Sequence, residues 1–218
     1  MRVLGIETST SQAAVALVEA GRLVLGRAHA RPKQSAERLL PLIGELLAEA
    51  GWQRRDLDRI GVSVGPGSFT GLRVGIACAQ GLALGLGVPL VGVTSLRAMA
   101  RAVPDSLPGT RVPVLDARRG EVFAAGYRAG PTTNELAAPQ ALPRDSARSR
   151  LEAQLPAPLV WLGSGLSLLG IEPTHSSPET QEPSALAVGQ LAEELNPEAC
   201  PPVPVYVRDA GATLPRSE

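Results

Sequence analysis

At 218 residues, with 44% hydrophobic and 19% charged residues, the chain has enough apolar content to bury one large core or two smaller ones, and wholesale disorder is excluded. Its 21 basic residues balance 21 acidic ones, and no basic run exceeds pairs such as Arg54/Arg55 and Arg118/Arg119, which argues against an autonomous nucleic-acid binder. Aromatic residues are only 3%, so most of the core must be Leu, Val, Ile and Ala.

Cys78 and Cys200 lie far apart with no CxxC or zinc spacing, which reads as two reduced thiols of a cytosolic protein. The opening MRVLGIETS turns polar at Glu7, too early for a signal-peptide core, and no apolar run is expected to reach membrane-spanning length. A cytoplasmic location is the expectation.

In chain order, Val3 to Ile6, Ala13 to Val18 and Leu23 to Gly26 read as a three-strand meander, with a polar turn from Glu7 to Ser11. From Ser35 to Ala50, apolar residues recur at three- and four-residue steps, an amphipathic helix that Pro41 kinks or truly starts and that Gly51 ends. Arg59 to Val64 is the next strand, Thr70 to Leu86 a helix, Pro89 to Val93 a strand and Ser95 to Ala102 a short helix. The order is βββαβαβα, and it closes a first unit at residue 103.

After a Pro/Gly/Ser linker from Pro104, the opening pattern recurs in weaker form across residues 104–218. VLGIETSTSQAAVALV and VPVLDARRGEVFAAGY share strand, acidic residue, turn and strand, and Leu159 to Leu162 followed by Gly163-Ser164-Gly165 echoes Val62 to Gly67. Ser184 to Leu195 reads as a helix and Val203 to Val207 as an extended piece of a proline-rich tail free to fold back on the first unit. Pro131 to Arg150 has no clear period.

Two units that open on strands and then alternate helix and strand resemble the two-lobed actin-like/Hsp70-like ATPase fold (ASKHA), the second lobe degenerate. In that fold the first hairpin and a later glycine loop hold nucleotide phosphates. Here those elements are Glu7, Thr8 and Ser9, with the hydroxyls to Ser11, and the stretch GPGSFTGLRVG, in which Gly65, Gly67, Ser68 and Gly71 open a helix. The loop lacks a phosphate lysine, and the plainer reading is a capped turn with glycines at positive φ. The two histidines, His29 and His175, are isolated, so the HxxxH pair of a metal enzyme is absent. GPGSFTG also lacks the GxSxG elbow of serine hydrolases. No cofactor and no metal are expected.

The helix GLRVGIACAQGLALGLG carries only Arg73 as a charge, so it is nearly apolar all round and needs cover on two sides. Gly71, Gly75 and Ala79 recur at four-residue steps, as do Gly81 and Gly85, a spacing that lets another backbone approach. Burial between the chain's own sheet and first helix is one reading; an exposed two-helix platform that pairs with a similar platform is the favoured one.

These residues identify the chain as resembling the bacterial TsaB (YeaZ) family. The resemblance is carried by VLGIETSTSQAAVALV, SAERLLPLI, GPGSFTGLRVGIACAQGLALGLGVPLVGVTSL, LDARRGEVFAAGY and PVYVRD, and is weakest over Pro131 to Glu182. It implies a non-catalytic accessory subunit in tRNA threonylcarbamoyladenosine biosynthesis. Such a subunit pairs with the TsaD threonylcarbamoyltransferase through the two N-lobe helices, is joined by the TsaE ATPase, forms homodimers through the same surface and meets tRNA only through its partners. Members often carry His where Gln34 stands and Asp where Glu7 stands. On this reading Leu39, Leu40 and Ile43 with Leu72, Arg73, Ile76, Ala79 and Leu82 form the platform, and Glu7, Thr8, Ser9, Gly65, Gly67, Ser68 and Gly71 are vestigial nucleotide-like loops. The alternative from another class is an independent small-molecule kinase of the same fold.

Overall fold

The computed structural model describes residues 1–10, 12–29, 35–130 and 133–207, and for residues 35 and 36 the backbone alone. Ser11, Gln34 and the last residues of the tail, 208–218, singled out in the sequence, lie outside this range.

Strands β1 (Arg2–Glu7), β2 (Ala13–Glu19) and β3 (Arg22–His29) form an antiparallel meander, β1 then pairs in parallel with β4 (Arg59–Gly65), and β4 with β5 (Leu90–Thr94). The sheet order is β3-β2-β1-β4-β5. A second sheet holds β6 (Thr110–Arg118), β7 (Glu121–Arg128), β8 (Glu135–Pro143) and β9 (Leu159–Leu162), in the order β8-β7-β6-β9. Its four strands correspond to the first four of the other sheet, β5 having no counterpart: an antiparallel hairpin, a third antiparallel strand outside it, and a parallel strand beside the first. The echo between the two sequence stretches is therefore a repeated topology.

The first sheet is covered on both faces. Leu4, Ile6, Val15, Leu17, Ile60 and Val62 pack under α1 (Ser35–Glu49) and α2 (Phe69–Leu86). Val3, Val18, Val91 and Val93, pointing the other way, pack under α6 (Ala185–Glu194). Alternation of side chains along each strand produces these two faces. Glycines bring α6 close: a Cβ on Gly5 would lie 2.1 Å from the Ala185 carbonyl oxygen, and one on Gly61 2.9 Å from that of Val188. The expected division near residue 104 thus separates the sheets but not the layers, since α6 and residues 200–207 lie on the first sheet.

Helix α3 (Ser95–Arg101) is wedged between the sheets, with Leu96, Met99 and Ala100 joining the core under β6, β7 and β9. The Thr94 and Tyr127 hydroxyls meet at 3.1 Å across the same boundary. The aperiodic stretch from residue 131 resolves, from Glu135, into β8 and α4 (Arg144–Gln154), which covers the other face of the second sheet through Ala147 and Leu151. A single helical turn, α5 (Pro178–Gln181), precedes α6.

α1 runs through Pro41 from Ser35 and ends where the sequence marks it. Gly51 takes φ +68° while its N–H and that of Trp52 donate to the Ala48 and Leu47 carbonyls, a Schellman closure. One sequence expectation needs correcting: α2 is long and apolar enough, by length and composition alone, to cross a membrane. It lies instead along the first sheet, with Leu72, Ile76, Ala79 and Ala83 in the core.

Candidate functional site

The two loops read as nucleotide-like sit side by side at the carboxyl ends of β1 and β4, and each fills the other. The Ser68 N–H donates to the Ser9 carbonyl at 2.7 Å, and the Ser68 hydroxyl turns back to accept from the Gly71 N–H as the cap of α2. A Cβ on Gly67 would lie 2.2 Å from the Ser9 carbonyl oxygen and one on Gly71 2.0 Å from that of Thr8. The glycines of this loop therefore admit the chain's own backbone. The second sheet repeats the closure: a Cβ on Gly165 would lie 2.7 Å from the Leu115 carbonyl carbon. Even the acidic residues correspond, since Glu7 accepts from the Ser9 N–H and Asp116 from the Arg118 N–H.

Glu7, Thr8 and Ser9 are buried, at 1–2% exposure. One Glu7 oxygen and the Thr8 and Ser9 hydroxyls have no hydrogen-bond partner among the described residues. Burial pushes the Glu7 carboxyl up to about 7, against the opposing contacts of Ser9 and Ser63, and Glu182 adds to the rise. A carboxyl raised this far gives up its proton less readily, which makes it a weaker ligand for a cation than an ordinary carboxylate. Among the described residues no group of three or more His, Cys, Asp or Glu is placed to hold a metal ion. His29 ends β3 and His175 precedes α5.

The second candidate feature is the face of α2 turned away from the sheet. The expected platform is only partly on it, and the helical phase has to be corrected. Leu39, Ile43, Leu72, Ile76 and Ala79 are each at most 5% exposed and belong to the chain's own core, so they are not open to a partner. Leu40 is exposed on α1, Arg73 is exposed on α2, and Leu82 is half-buried. The outward stripe is Phe69, Arg73, Ala77, Gln80, Gly81 and Leu84, with Leu84 87% exposed.

The two glycine pairs differ accordingly. Gly71 and Gly75 face Thr8, while a methyl group placed on Gly81 or Gly85 would meet, beyond its own helix turn, no heavy atom of the described residues within 4 Å. The residues that sequence reasoning missed are Phe69, Leu84 and Tyr206, all exposed; the rarity of Phe and Tyr in this chain was the available signal for the two aromatic ones, and Leu84 carried none.

This geometry can be set beside known proteins. The family model that matches, over residues 29–158, is described as "TsaD: tRNA N6-adenosine threonylcarbamoyltransferase". The "tRNA threonylcarbamoyladenosine biosynthesis protein TsaB" of Escherichia coli (strain K12) is 40% identical over 131 residues, 59% of this chain and 55% of the relative. The protein of the same name in Bacillus subtilis (strain 168) is 34% identical over 128 residues, 59% of this chain and 56% of the relative. Among solved structures, "YeaZ from Pseudomonas aeruginosa" superposes with a TM-score of 0.77 at 28% identity, covering 94% of this chain and 99% of that one. The chain belongs to the TsaB/YeaZ branch of this family.

Its sheets and helices are those of the two-lobed actin-like (ASKHA) fold. The matched segments span about half the length of the curated TsaB relatives. The family match covers α1, α2 and both hairpin strands of the second sheet, so the uncovered α2 face lies inside the shared region.

Proposed function

We propose that this chain is a non-catalytic subunit of the assembly that makes threonylcarbamoyladenosine in tRNA. It docks on a TsaD-like threonylcarbamoyltransferase through α1 and the outward face of α2, and binds that enzyme's active conformation in preference to others. A TsaE-like ATPase completes the assembly, tRNA is held by the partners, and the chain alone pairs with itself through the same face. The site of action is the cytoplasm.

One observation carries this reading: the loops that correspond to the fold's nucleotide loops are closed by the chain's own Thr8 and Ser9 backbone, while the adjoining apolar helix has a face that no other described residue covers. The likeness of residues 29–158 to the transferase family supports a pairing of like with like, because a partner of the same fold brings a comparable helix pair. The balance of 21 basic and 21 acidic residues supports indirect contact with tRNA.

Reconstitution tests it. The transferase and TsaE-like ATPase, given tRNA and the threonylcarbamoyl donor, should modify slowly alone and at full rate with this chain, which should co-elute with the transferase on gel filtration. Leu84→Glu should lose both effects while remaining folded. Full-rate modification in its absence, or ATP turnover by the isolated chain, would refute the proposal.

A further inference from the structure

The carboxyl of Glu7 is enclosed where several parts of the chain meet. Glu7 ends β1 and stands opposite Ala14 of β2. Beside it is Ser63 of β4, whose hydroxyl lies 3.0 Å from that of Ser95 at the start of α3. Glu7, Ser63 and Ser95 are each at most 1% exposed. One Glu7 oxygen accepts from the Ser9 N–H, and the other meets no donor among the described residues.

The charged groups of the surrounding elements are engaged elsewhere. Arg2 and Glu19 bind each other at the far end of the β1–β2 pair, and Arg59 of β4 donates to the Ala192 and Leu195 carbonyls. His29, one strand further out, stands opposite Ala13. Arg73 of α2 lies over Phe69, while on α3 Arg97 acts on Tyr127 and Arg101 pairs with Glu194. The largest charge effect on Glu7 comes from another acid, Glu182, itself held by the Ser164 hydroxyl at 2.8 Å. An ionised Glu7 therefore faces a second carboxylate, and water reaches it only if the loop after β1 lifts.

That loop also seats a helix. Ser9 gives its N–H to Glu7 and takes the Ser68 N–H on its carbonyl at 2.7 Å, and Ser68 is the cap of α2. We propose that Glu7 to Ser9 form a proton-operated latch: with Glu7 neutral the loop is shut on Ser68 and the first turn of α2, and ionisation of Glu7 shifts it toward an open form that frees that turn. The latch acts on the chain's own helix and requires no partner. Burial sets the changeover near neutrality, since the closed loop raises the carboxyl from 4.5 to about 7 while an open loop leaves it in water at its ordinary value. The closed form thus holds the proton more tightly. Closure is firmest below pH 4.5, weakens as pH rises to about 7 and is level above.

Hydrogen exchange of the Ser68 amide in the full chain, followed by NMR and divided by the intrinsic exchange rate, reads the opening. Protection should fall on the order of a hundredfold from about pH 5 to about pH 8. It should respond little to low concentrations of urea, as local opening does. Glu7→Gln, uncharged throughout, should keep full protection, and Glu182→Gln should move the fall to lower pH. A wild-type Ser68 amide equally protected across this range would overturn the latch, whether or not Glu7→Gln folds. So would a Ser68 amide that exchanges only with the urea dependence of core amides such as that of Leu17, because the opening would then be global. The same pH dependence in wild type and Glu7→Gln would assign the titration to another group and overturn the role of Glu7.

Discussion

Alanine at Gly71 and alanine at Gly81 are the same substitution on the same helix, and the structure gives them opposite signs. In a helix interior the exchange stabilises by about 0.5–1 kcal/mol, because glycine loses more backbone entropy on folding. At Gly81 nothing lies within 4 Å of the new methyl, so the gain is kept, and a chain of this size should melt about 2–4 °C higher per kcal/mol. At Gly71 the methyl would lie 2.0 Å from the Thr8 carbonyl oxygen, a backbone atom pinned by β1 and by the neighbouring Ser9 to Ser68 contact. Overpacking costs about 1–3 kcal/mol, more than the propensity gain, which is small in the first turn. The two variants should therefore differ by about 1.5–4 kcal/mol. Gly75→Ala should fall between them, since its nearest obstacle, the Thr8 hydroxyl at 2.1 Å, is the end of a side chain. Urea unfolding followed by far-UV circular dichroism measures all three, provided the slopes agree. A Gly71→Ala variant as stable as wild type, or a Gly81→Ala variant that is destabilised, would mean that α2 presents a different face to the sheet.

Glu7 makes stability depend on pH. Its carboxyl rises from 4.5 unfolded to about 7 folded, so the native state holds its proton longer: stability is full below pH 4.5, falls as pH rises to about 7, and is flat above. The loss is on the order of 3 kcal/mol, and Glu7→Gln should abolish that slope while exceeding wild type above pH 7; parallel pH profiles for the two proteins would exclude Glu7 as the cause. Tyr127→Phe should cost about 0.5–1.5 kcal/mol, since it removes the hydroxyl that meets Thr94 between the sheets, and an unchanged melting temperature would show that contact to be idle. Arg111→Ala should cost more, because this arginine, 0% exposed, serves the Ala100 carbonyl and Asp105; denaturant midpoints for Arg111→Ala and Tyr127→Phe in the reverse order would contradict the ranking.

The strands other than β8 are legible because each is an apolar run closed by turn residues, and the repeat could be read because Glu7 and Asp116 end corresponding runs. Residues 135–154 were not legible: β8 carries two prolines, and α4 offers only Ala147 and Leu151 as buried apolar residues in a charged segment. The face of α2 was hidden for the opposite reason. Leu72, Ile76, Ala79 and Ala83 keep helical spacing, but so do Phe69, Ala77 and Leu84, and a helix apolar all round gives periodicity nothing to choose between. The choice is made by Thr8, which is distant in sequence and meets Gly71 and Gly75. In α1 the pattern was stronger, and even there Leu40 and Pro41 point outward while Leu39 and Ile43 point in.

Closing the loops and presenting the helix are one structural event. The Ser9 carbonyl can accept from the Ser68 N–H only if the first turn of α2 lies against the end of β1, and Gly67, Gly71 and Gly75 are what allow that approach. The same approach fixes the rotation of α2 about its axis, and so decides that Phe69 and Arg73 face outward beside Tyr206. For the docking role proposed above, Gly67, Gly71 and Gly75 therefore matter through geometry: they let the first turn of α2 meet the end of β1, and that contact decides which face of the helix points outward.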